Sequence, residues 1–331
     1  MDHVPFVFME RVVSLVPADP RDIRDLFAPV GGLWEIAAAD LEANYHYVKV
    51  FINAQEHSMS VSKVSPRGEE VELFEEPNQY TLGLSLHIDE HYDRTRKAEP
   101  EPISEERLKQ IARLPSLGGK LSVFTVSQLL PREDEAFDLG GLLRNIQAPF
   151  AGVSMCSCRG YSQEIEEFLR NLIPKRTCDK FTFLGVELTP TCLDLLLDAW
   201  DKWIPCQWTE INGALSKWGN DSGWINILDC SQSFTKAHIS RVLNGWCEGR
   251  GGQKFGASSL EFPDIDAFCK TFEIQEPDWK VKKEDGRFTC SACCYLTHVN
   301  TETIIRVYFM TYGSIELELL HPTFDVDFWC F

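Results

Sequence analysis

The residues whose types and spacing best suit a metal site lie near the C-terminus: Cys290, Cys293, Cys294 and His298. Zinc in proteins takes about four nitrogen or sulfur ligands in a tetrahedral array, and a Cys-x-x-Cys pair supplies half of such a set. No second pair lies nearby in the sequence, and in a strand residues 290 and 293 would point to opposite faces. We therefore expect buried structural thiols here, and a protein that needs no metal and no cofactor.

A second polar cluster is His87-Ile88-Asp89-Glu90-His91, which offers two imidazoles and two carboxylates. Such a set can bind a transition metal when the side chains converge, but at the end of a hairpin a solvated loop is the simpler interpretation. The chain has no G-x-S-x-G nucleophile motif, no H-E-x-x-H zinc motif and no G-x-x-x-x-G-K-[ST] phosphate loop. We predict no catalytic residues; an enzyme on a doubly wound sheet is the least favoured alternative.

The charge of the chain restricts its partners. Its 331 residues include 50 acidic and 32 basic side chains, which give a net charge of −18. A surface this acidic repels phosphate backbones and anionic lipids, so we expect no nucleic-acid partner and no membrane partner. No stretch approaches the roughly 18 to 20 apolar residues that a membrane span requires, and the N-terminus lacks the basic start of a secretory signal. The twelve cysteines are then expected to be reduced thiols, in the cytoplasm or the nucleus.

Residues 1–44 are predicted to form a module of three short helices. Apolar residues recur at helical spacing in three stretches, and Pro17, Pro20 and Pro29 separate these stretches. A helical module this small cannot bury every apolar side chain, and surplus apolar surface of this kind typically docks a partner. The residues that we predict to bind the partner are Val4, Pro5, Phe8, Val12, Val13, Leu15, Asp22, Ile23, Leu26, Val30 and Trp34.

Alternating polar and apolar residues predict a small antiparallel β segment over residues 45–93. Residues 94–104 are highly charged and contain Pro100 and Pro102, which predicts a linker. Ser104 then occupies the N-cap position of a predicted helix.

Residues 105–331 are predicted to form a repeat-like α/β domain that binds the substrate. Strands and amphipathic helices alternate at a spacing close to 30 residues, which is typical of irregular leucine-rich-repeat-like units in a mixed α+β or α/β fold. A doubly wound sheet shows the same alternation and stays open as an alternative. The predicted strands are Leu121–Val126, Gly152–Ser157, Phe181–Leu188, Trp224–Asp229 and Ser258–Phe262, and the predicted helices are Leu139–Ile146, Ser162–Leu172, Pro190–Trp203, Thr235–Trp246 and Asp264–Phe272. Three further strands, Phe288–His298, Thr303–Met310 and Ser314–Leu320, are predicted to form a β hairpin cap over the last repeat.

Tryptophans mark two features of this domain. Two of its helices end in an aliphatic pair, two further residues and a tryptophan, which is Trp200 in one and Trp246 in the other. We expect both rings to pack against a neighbouring repeat. Ile204–Gly223 is the longest irregular insertion, and its Trp208 and Trp218 are our speculative candidates for substrate binding.

The ordered series of residues from Val4 to Trp34 resembles an F-box. Members of that family open with a hydrophobic residue and a proline, continue with an aliphatic first helix and an acidic–aliphatic pair, and close with V-x-x-x-W. The matching residues here are Val4-Pro5, Val12-Val13 with Leu15, Asp22-Ile23 with Leu26, and Val30 with Trp34. The chain departs from the family at Gly31-Gly32, where Ser, Lys or Arg is usual. The body is similar, more distantly, to the large nematode families of F-box proteins, in which a helix that ends in tryptophan precedes a strand.

This resemblance implies an adaptor of a Skp–cullin–F-box ubiquitin ligase. In such a complex the N-terminal helices bind the Skp subunit, and through it a cullin, while the rest of the chain recruits a protein substrate. The alternative is a structural or regulatory scaffold outside ubiquitin chemistry, whose N-terminal helices only cap the body.

Overall fold

Strands and helices alternate along most of the chain in the computed structural model, which gives the protein mixed α/β content. The structure describes residues 5–15, 20–64, 70–71, 80–89, 99–112, 122–130, 137–146, 150–175, 178–203, 208–211, 214–217, 224–258, 264–285, 290–310 and 314–320. The chain divides into two units, Met1–Cys178 and Asp179–Phe331. The sequence predicts no domain boundary at this point.

The first unit begins with the three helices that the sequence predicts. They are α1 (Phe6–Leu15), α2 (Pro20–Phe27) and α3 (Gly32–Asn44), and a strand starts at Tyr45, directly after α3. The helices share a small buried core, because α3 presents small alanine side chains that let α1 approach closely. This core consists of Met9, Val13, Ala37, Ala38 and Leu41, with Phe6, Phe27, Trp34 and Tyr47 partly buried against it.

The junction of α2 and α3 requires the glycine pair at which the chain departs from the F-box pattern. Gly31 and Gly32 have φ angles of +66° and +62°, in the left-handed region where a residue with a Cβ atom loses about 1–2 kcal/mol. No atom lies within 4 Å of a Cβ built at either position. The backbone conformation, rather than a lack of space, therefore favours glycine here.

The strands of the first unit are β1 (Tyr45–Asn53), β2 (Ser58–Val64), β3 (Glu70–Val71), β4 (Tyr80–Asp89), β5 (Glu101–Pro102), β6 (Val123–Ser127) and β7 (Gly152–Cys156). They lie in the order β3–β2–β1–β4–β6–β7, and β5 pairs with β2. The predicted antiparallel segment over residues 45–93 is confirmed for β1 and β2 but is wrong for β4, which is parallel to β1. Alternation has a period of two in both kinds of sheet, so it does not encode strand direction.

The predicted linker over residues 94–104 also needs correction, because its Glu101–Pro102 pairs with β2. The helix after it, α4 (Glu105–Ala112), begins as predicted: the Ser104 Oγ accepts a hydrogen bond from the N–H of Arg107 at 3.2 Å. The next two helices are α5 (Leu139–Asn145) and α6 (Ser162–Leu172), followed by the 3₁₀ turn Ile173–Lys175.

The core of this sheet consists of rows of apolar side chains that cross the parallel strands. The residues paired directly across four neighbouring strands, all buried, are Val50, Leu86, Phe124 and Val153. Helix α6 covers this row, since the ring centroid of its Phe168 lies 5.2 Å from that of Phe124. Each strand–helix pair thus buries apolar surface that neither element could bury alone.

The second unit has the same strand–helix alternation and then four consecutive strands. Its elements are β8 (Lys180–Leu184), α7 (Pro190–Trp200), β9 (Trp208–Ile211), β10 (Ala214–Lys217), β11 (Trp224–Leu228), α8 (Lys236–Cys247), β12 (Lys254–Ser258), α9 (Ile265–Thr271), β13 (Trp279–Asp285), β14 (Cys290–His298), β15 (Ile304–Met310) and β16 (Ser314–Leu320). Strands β8, β11 and β12 are parallel neighbours in chain order. Strand β16 pairs antiparallel with β12, followed by β15, β14 and β13. The C-terminal strands therefore cover the edge of β12.

One prediction in this unit is wrong, and two strand segments were missed. Strand β12 begins four residues before the strand predicted at Ser258–Phe262, because the glycine-rich turn before it disguised its start; residues 259–262 of that prediction lie outside the described residues. The insertion Ile204–Gly223, predicted to be irregular, contains the antiparallel hairpin of β9 and β10. Strand β13 was not predicted, because its three lysines followed by two acidic residues have the composition of a loop.

The two tryptophan-terminated helices pack as predicted. The side chains of Trp200 at the end of α7 and Trp246 near the end of α8 are 0% and 2% exposed. Their ring centroids lie 5.6 Å apart, and the Trp246 Nε1–H donates to the Gly252 carbonyl at 2.6 Å. Arg241 of α8 also bonds Asp201, directly after α7, at 2.8 Å through Nε. The repeated sequence pattern therefore marks a contact between adjacent strand–helix units.

The ends of the parallel strands repeat one backbone geometry. A residue with positive φ directly follows each of β6, β7, β8 and β11: these are Gln128, Ser157, Gly185 and Asp229. One hydrogen bond also recurs at equivalent positions. The N–H of Arg159 donates to the carbonyl of Leu129, and the N–H of Ser231 donates to that of Val186, both at 3.1 Å.

Candidate docking site

Helix α3 directs one face toward the core and leaves another face open. Trp34, Ala37, Ala38 and Leu41 follow the spacing i, i+3, i+4, i+7 and are buried or half-buried. The indole of Trp34 stacks on Phe27 of α2, with ring centroids 5.6 Å apart and an interplanar angle of 8°. This stack and the 3.0 Å ion pair of Arg24 with Glu42 connect α2 to α3.

Five large apolar side chains on this helical module are exposed. They form half of the ten that are exposed among all the residues the structure describes. Their exposed fractions are 55% for Phe8, 45% for Leu26, 52% for Val30, 45% for Leu33 and 56% for Ile36. Leu33 and Ile36 each precede a core position of α3 by one residue, so they lie about 100° around the helix from the core face. We call these five residues the apolar face.

The structure agrees with the predicted partner-binding residues only in part. Phe8, Leu26 and Val30 are exposed, and so is Pro5. Val13 is wrong as a contact residue, because its side chain is completely buried against α3. Val12 and Trp34 are half-buried, Leu15, Asp22 and Ile23 lie in helices of which only the backbone is described there, and Val4 lies outside the described residues.

Leu33 and Ile36 are the residues that sequence reasoning missed. They are three apart on α3 and so share one of its faces. The signal was present in the sequence, but with Trp34 and Ala37 they make the start of α3 apolar on both sides. Pattern alone could not say which of the two faces packs inward.

The prediction that Trp208 and Trp218 bind the substrate is not tested by the described residues. Trp208 begins β9, and only its backbone is described, while Trp218 lies outside the described residues. The described residues of the insertion, 208–211 and 214–217, form an antiparallel hairpin.

The polar cluster at residue 87 lies in a strand, so the prediction of a solvated loop is wrong for its described part. His87 and Asp89 are half-buried in β4, and the Oγ of Ser85 lies 2.7 Å from the His87 Nε2. A hydroxyl beside an imidazole is the start of a nucleophile–base pair, but acyl transfer also needs N–H groups directed at the developing oxyanion. Strand β4 pairs with β1 on one side and β6 on the other, and its N–H groups belong to those ladders. Glu90 and His91 lie outside the described residues.

The cysteines near the C-terminus have the surroundings of core residues. Cys293 and Cys294 of β14 are buried, and burial raises the pKa of Cys294 far above its ordinary value. A buried neutral thiol is a poor metal ligand, since the thiolate is the form that coordinates. Among the residues described, no group of three potential ligands converges on a metal position, and none of the nine cysteines whose side chains are described forms a disulfide.

Comparisons of the chain with protein-family models, with curated proteins and with solved structures give no significant match. In the described part of the chain, no helix has both the length and the apolar character to cross a membrane.

Proposed function

We propose that this protein is a substrate-recognition adaptor of a Skp–cullin–F-box ubiquitin ligase, which works in the cytoplasm or the nucleus and performs no chemistry itself. The observation that carries the proposal is the apolar face of α1–α3. Phe8, Leu26 and Val30 belong to the F-box-like series, and Leu33 and Ile36 extend the face. Apolar surface buried on docking contributes about 25 cal/mol per Å², so a Skp subunit with a complementary apolar groove would bind here.

The body supports the second half of the proposal, a repeat-like platform for a protein substrate. A doubly wound sheet reverses its strand order at a switch point. Here the parallel strands follow one another in chain order, as β1, β4, β6, β7 in one unit and β8, β11, β12 in the other. The recurring positive φ after four of these strands also favours stacked units with equivalent geometry.

The proposal is tested by titrating the full-length protein with a purified Skp-type subunit in a calorimeter. Replacing both Leu33 and Ile36 with glutamate puts two charges into the proposed interface, and we expect the affinity to fall about 100-fold, the scale of two hot-spot residues. Val299→Glu is the matched control, because Val299 is similarly exposed at 43% but lies in the second unit; its affinity should be unchanged.

Equal Skp binding by the L33E/I36E variant and the wild type would reject the apolar face as the docking site. If the wild-type protein does not bind the Skp subunit at all, the scaffold alternative replaces the adaptor.

A further inference from the structure

One face of the sheet in the second unit carries a row of charged and aromatic side chains. Trp224 on β11 is paired directly with Lys180 on β8 and with Lys254 on β12. Lys254 is in turn paired with Glu318 on β16, and Glu318 with Arg306 on β15. Directly paired residues point to the same face of a sheet, so these five side chains form one row across five adjacent strands.

The opposite face of the same strands is the core, which fixes the direction of the row. The neighbours of the row residues along each strand point the other way. These neighbours are the residues directly after Lys180, Trp224 and Lys254, and the residues directly before Arg306 and Glu318. These inward neighbours, all buried, are Phe181, Ile225, Phe255, Ile305 and Leu317. Side chains alternate between the two faces of a strand, and the row therefore lies on the face turned away from the core.

The ends of the row differ in their accessibility. Lys180 is exposed, Trp224 is half-buried, and the Lys254 side chain is 39% exposed. Arg306 and Glu318 are more deeply placed, with 25% and 14% of their side chains exposed. A partner would therefore meet Lys180, Trp224 and Lys254 first. We call these three residues the cationic patch.

Contacts within the row hold the two ammonium groups close to the indole. The Nζ of Lys180 lies 4.5 Å from the centroid of the Trp224 ring, and the Nζ of Lys254 lies 5.3 Å from it. Cation–π contacts of this kind contribute about 0.5–1 kcal/mol at exposed sites. Because both amines are attracted to the same ring, their positions are restricted before any ligand arrives, and less side-chain entropy is lost on binding.

The row has a surplus of positive charge in a very acidic protein. Glu318 is shared by two cations: its carboxylate is 3.4 Å from the Lys254 Nζ and also bonds Arg306. Burial acts to lower the pKa of Arg306, but the hydrogen bond and charge of Glu318 outweigh it and raise that pKa. Among the described residues of the row together with Glu316, which lies on the same face two residues before Glu318, three side chains are cationic and two are anionic, while the whole chain carries −18.

From this juxtaposition we infer that the cationic patch is the substrate-contacting surface of the adaptor, and that the partner is an acidic protein segment whose Asp and Glu carboxylates bind between Lys180 and Lys254. The inference rests on the proposed function, because it names the substrate class of that adaptor. Complementary charge supplies specificity and fast association more than affinity. A nucleic acid is less suited than a protein segment, because it carries a charge at every phosphate along its length and the acidic chain repels those outside the patch, whereas a protein segment can confine its carboxylates to the patch.

The test uses the full-length protein and a fluorescently labelled peptide of alternating Glu and Ala residues, with an otherwise identical Gln–Ala peptide as the uncharged probe. Anisotropy should show binding of the Glu–Ala peptide, weakening with added salt, and none of the Gln–Ala peptide. In the K180E/K254E variant, binding should fall at least about tenfold. The matched control, K202E/K236E, makes the same charge change at two exposed lysines of the second unit and should bind as wild type does.

The inference is overturned if the Glu–Ala peptide fails to bind, if both double variants lose binding equally, or if a labelled oligothymidine binds at the patch and the peptide does not. Circular dichroism confirms that each variant is folded, and W224F, which retains an aromatic ring, provides a milder variant should K180E/K254E unfold. Skp titration of the same samples separates the two proposals. Retained Skp binding with a failed peptide test rejects only the patch, whereas absence of Skp binding in every sample rejects the adaptor.

Discussion

The N-terminal helices α1–α3 and the α7–α8 pair contain similar apolar and aromatic residues, but they differ in how completely those residues are buried. In both, the ring of a tryptophan on one helix contacts an aromatic residue of another helix. In the α7–α8 pair, Trp200 and Trp246 are completely enclosed, whereas Trp34 is only half-buried and exposed apolar side chains surround its helix. The difference lies in the elements that pack against each tryptophan. Strand β12 packs Phe255 against Trp200, whereas the described core residues around α1–α3 come mainly from these three helices themselves.

This comparison teaches that apolar content does not by itself define a core. A helix of a strand–helix unit is covered by its own strand and by the next unit, so its aromatic residues become structural. In the part of the chain that the structure describes, nothing covers Leu33 and Ile36 of α3 in this way, and the same residue types remain available to a partner.

The largest expected effect distinguishes the two tryptophan environments. Trp200→Ala should lower the free energy of unfolding by about 3–5 kcal/mol, because it leaves a cavity in a closed core. Trp34→Ala should cost clearly less, about 1–2 kcal/mol, since part of that ring is already in water. Urea denaturation of each variant measures both values. Equal losses would show that the helical module is as tightly packed as the α7–α8 pair.

Two glycines in the turn after α8 sharpen the same point. Gly251 has φ of +99°, and a Cβ atom there would lie 2.4 Å from the Trp200 Nε1. Gly251→Ala should therefore lower the free energy of unfolding by about 2–3 kcal/mol, through backbone strain and displacement of the indole. Gly249→Ala is the control: its φ is +71°, but no atom lies within 4 Å, so only about 1 kcal/mol of strain is expected. Thermal unfolding of the two variants, compared with wild type, provides the measurement. An equal shift for both would mean that Trp200 moves aside freely.

A smaller effect concerns the strand that continues from α3. His46 is 6% exposed in β1, and burial together with the charge of Lys63 lowers its pKa from 6.5 to about 4. Between these values the unfolded chain binds a proton that the folded one does not, so stability is complete above pH 6.5 and decreases as the pH falls toward 4. The loss should be at most about 2–3 kcal/mol.

His46→Asn should remove this part of the pH dependence, as measured by urea denaturation at several pH values. His57→Asn is the control, because His57 is an exposed histidine of the same unit and asparagine tolerates its positive φ. A wild-type stability that stays flat between pH 6.5 and 4 would contradict the assignment.

Much of the local structure was predictable because it depends on near neighbours in the chain. Helix α6 has the predicted limits, Ser162–Leu172, and the switch from helix to strand falls at Tyr45 as predicted. The predicted cap at Ser104 also forms, since it needs only a side-chain oxygen three residues from a free N–H group. These features follow from the chemistry of nearby side chains and from the period of the apolar residues along the chain.

The candidate sites were less predictable, since exposure depends on what packs against each side chain. Val13 and Phe8 are both apolar residues of α1, yet one is buried and the other is not. The cationic patch was missed altogether, because Lys180, Trp224 and Lys254 are far apart in sequence and become neighbours only through strand register.

The sequence by itself determined the alternation of strands and helices, the turn at residues 31 and 32, whose positive φ angles favour the two glycines there, and the acidic charge of the chain. Each of these depends on local backbone preference or on composition. Only the tertiary structure decided that β4 lies parallel to β1, that Leu33 and Ile36 stay in solvent, and that two lysines flank one indole. Strand direction, exposure and register depend on contacts between residues that are distant in the chain, and the period of a pattern carries no information about which distant segment will supply the contact.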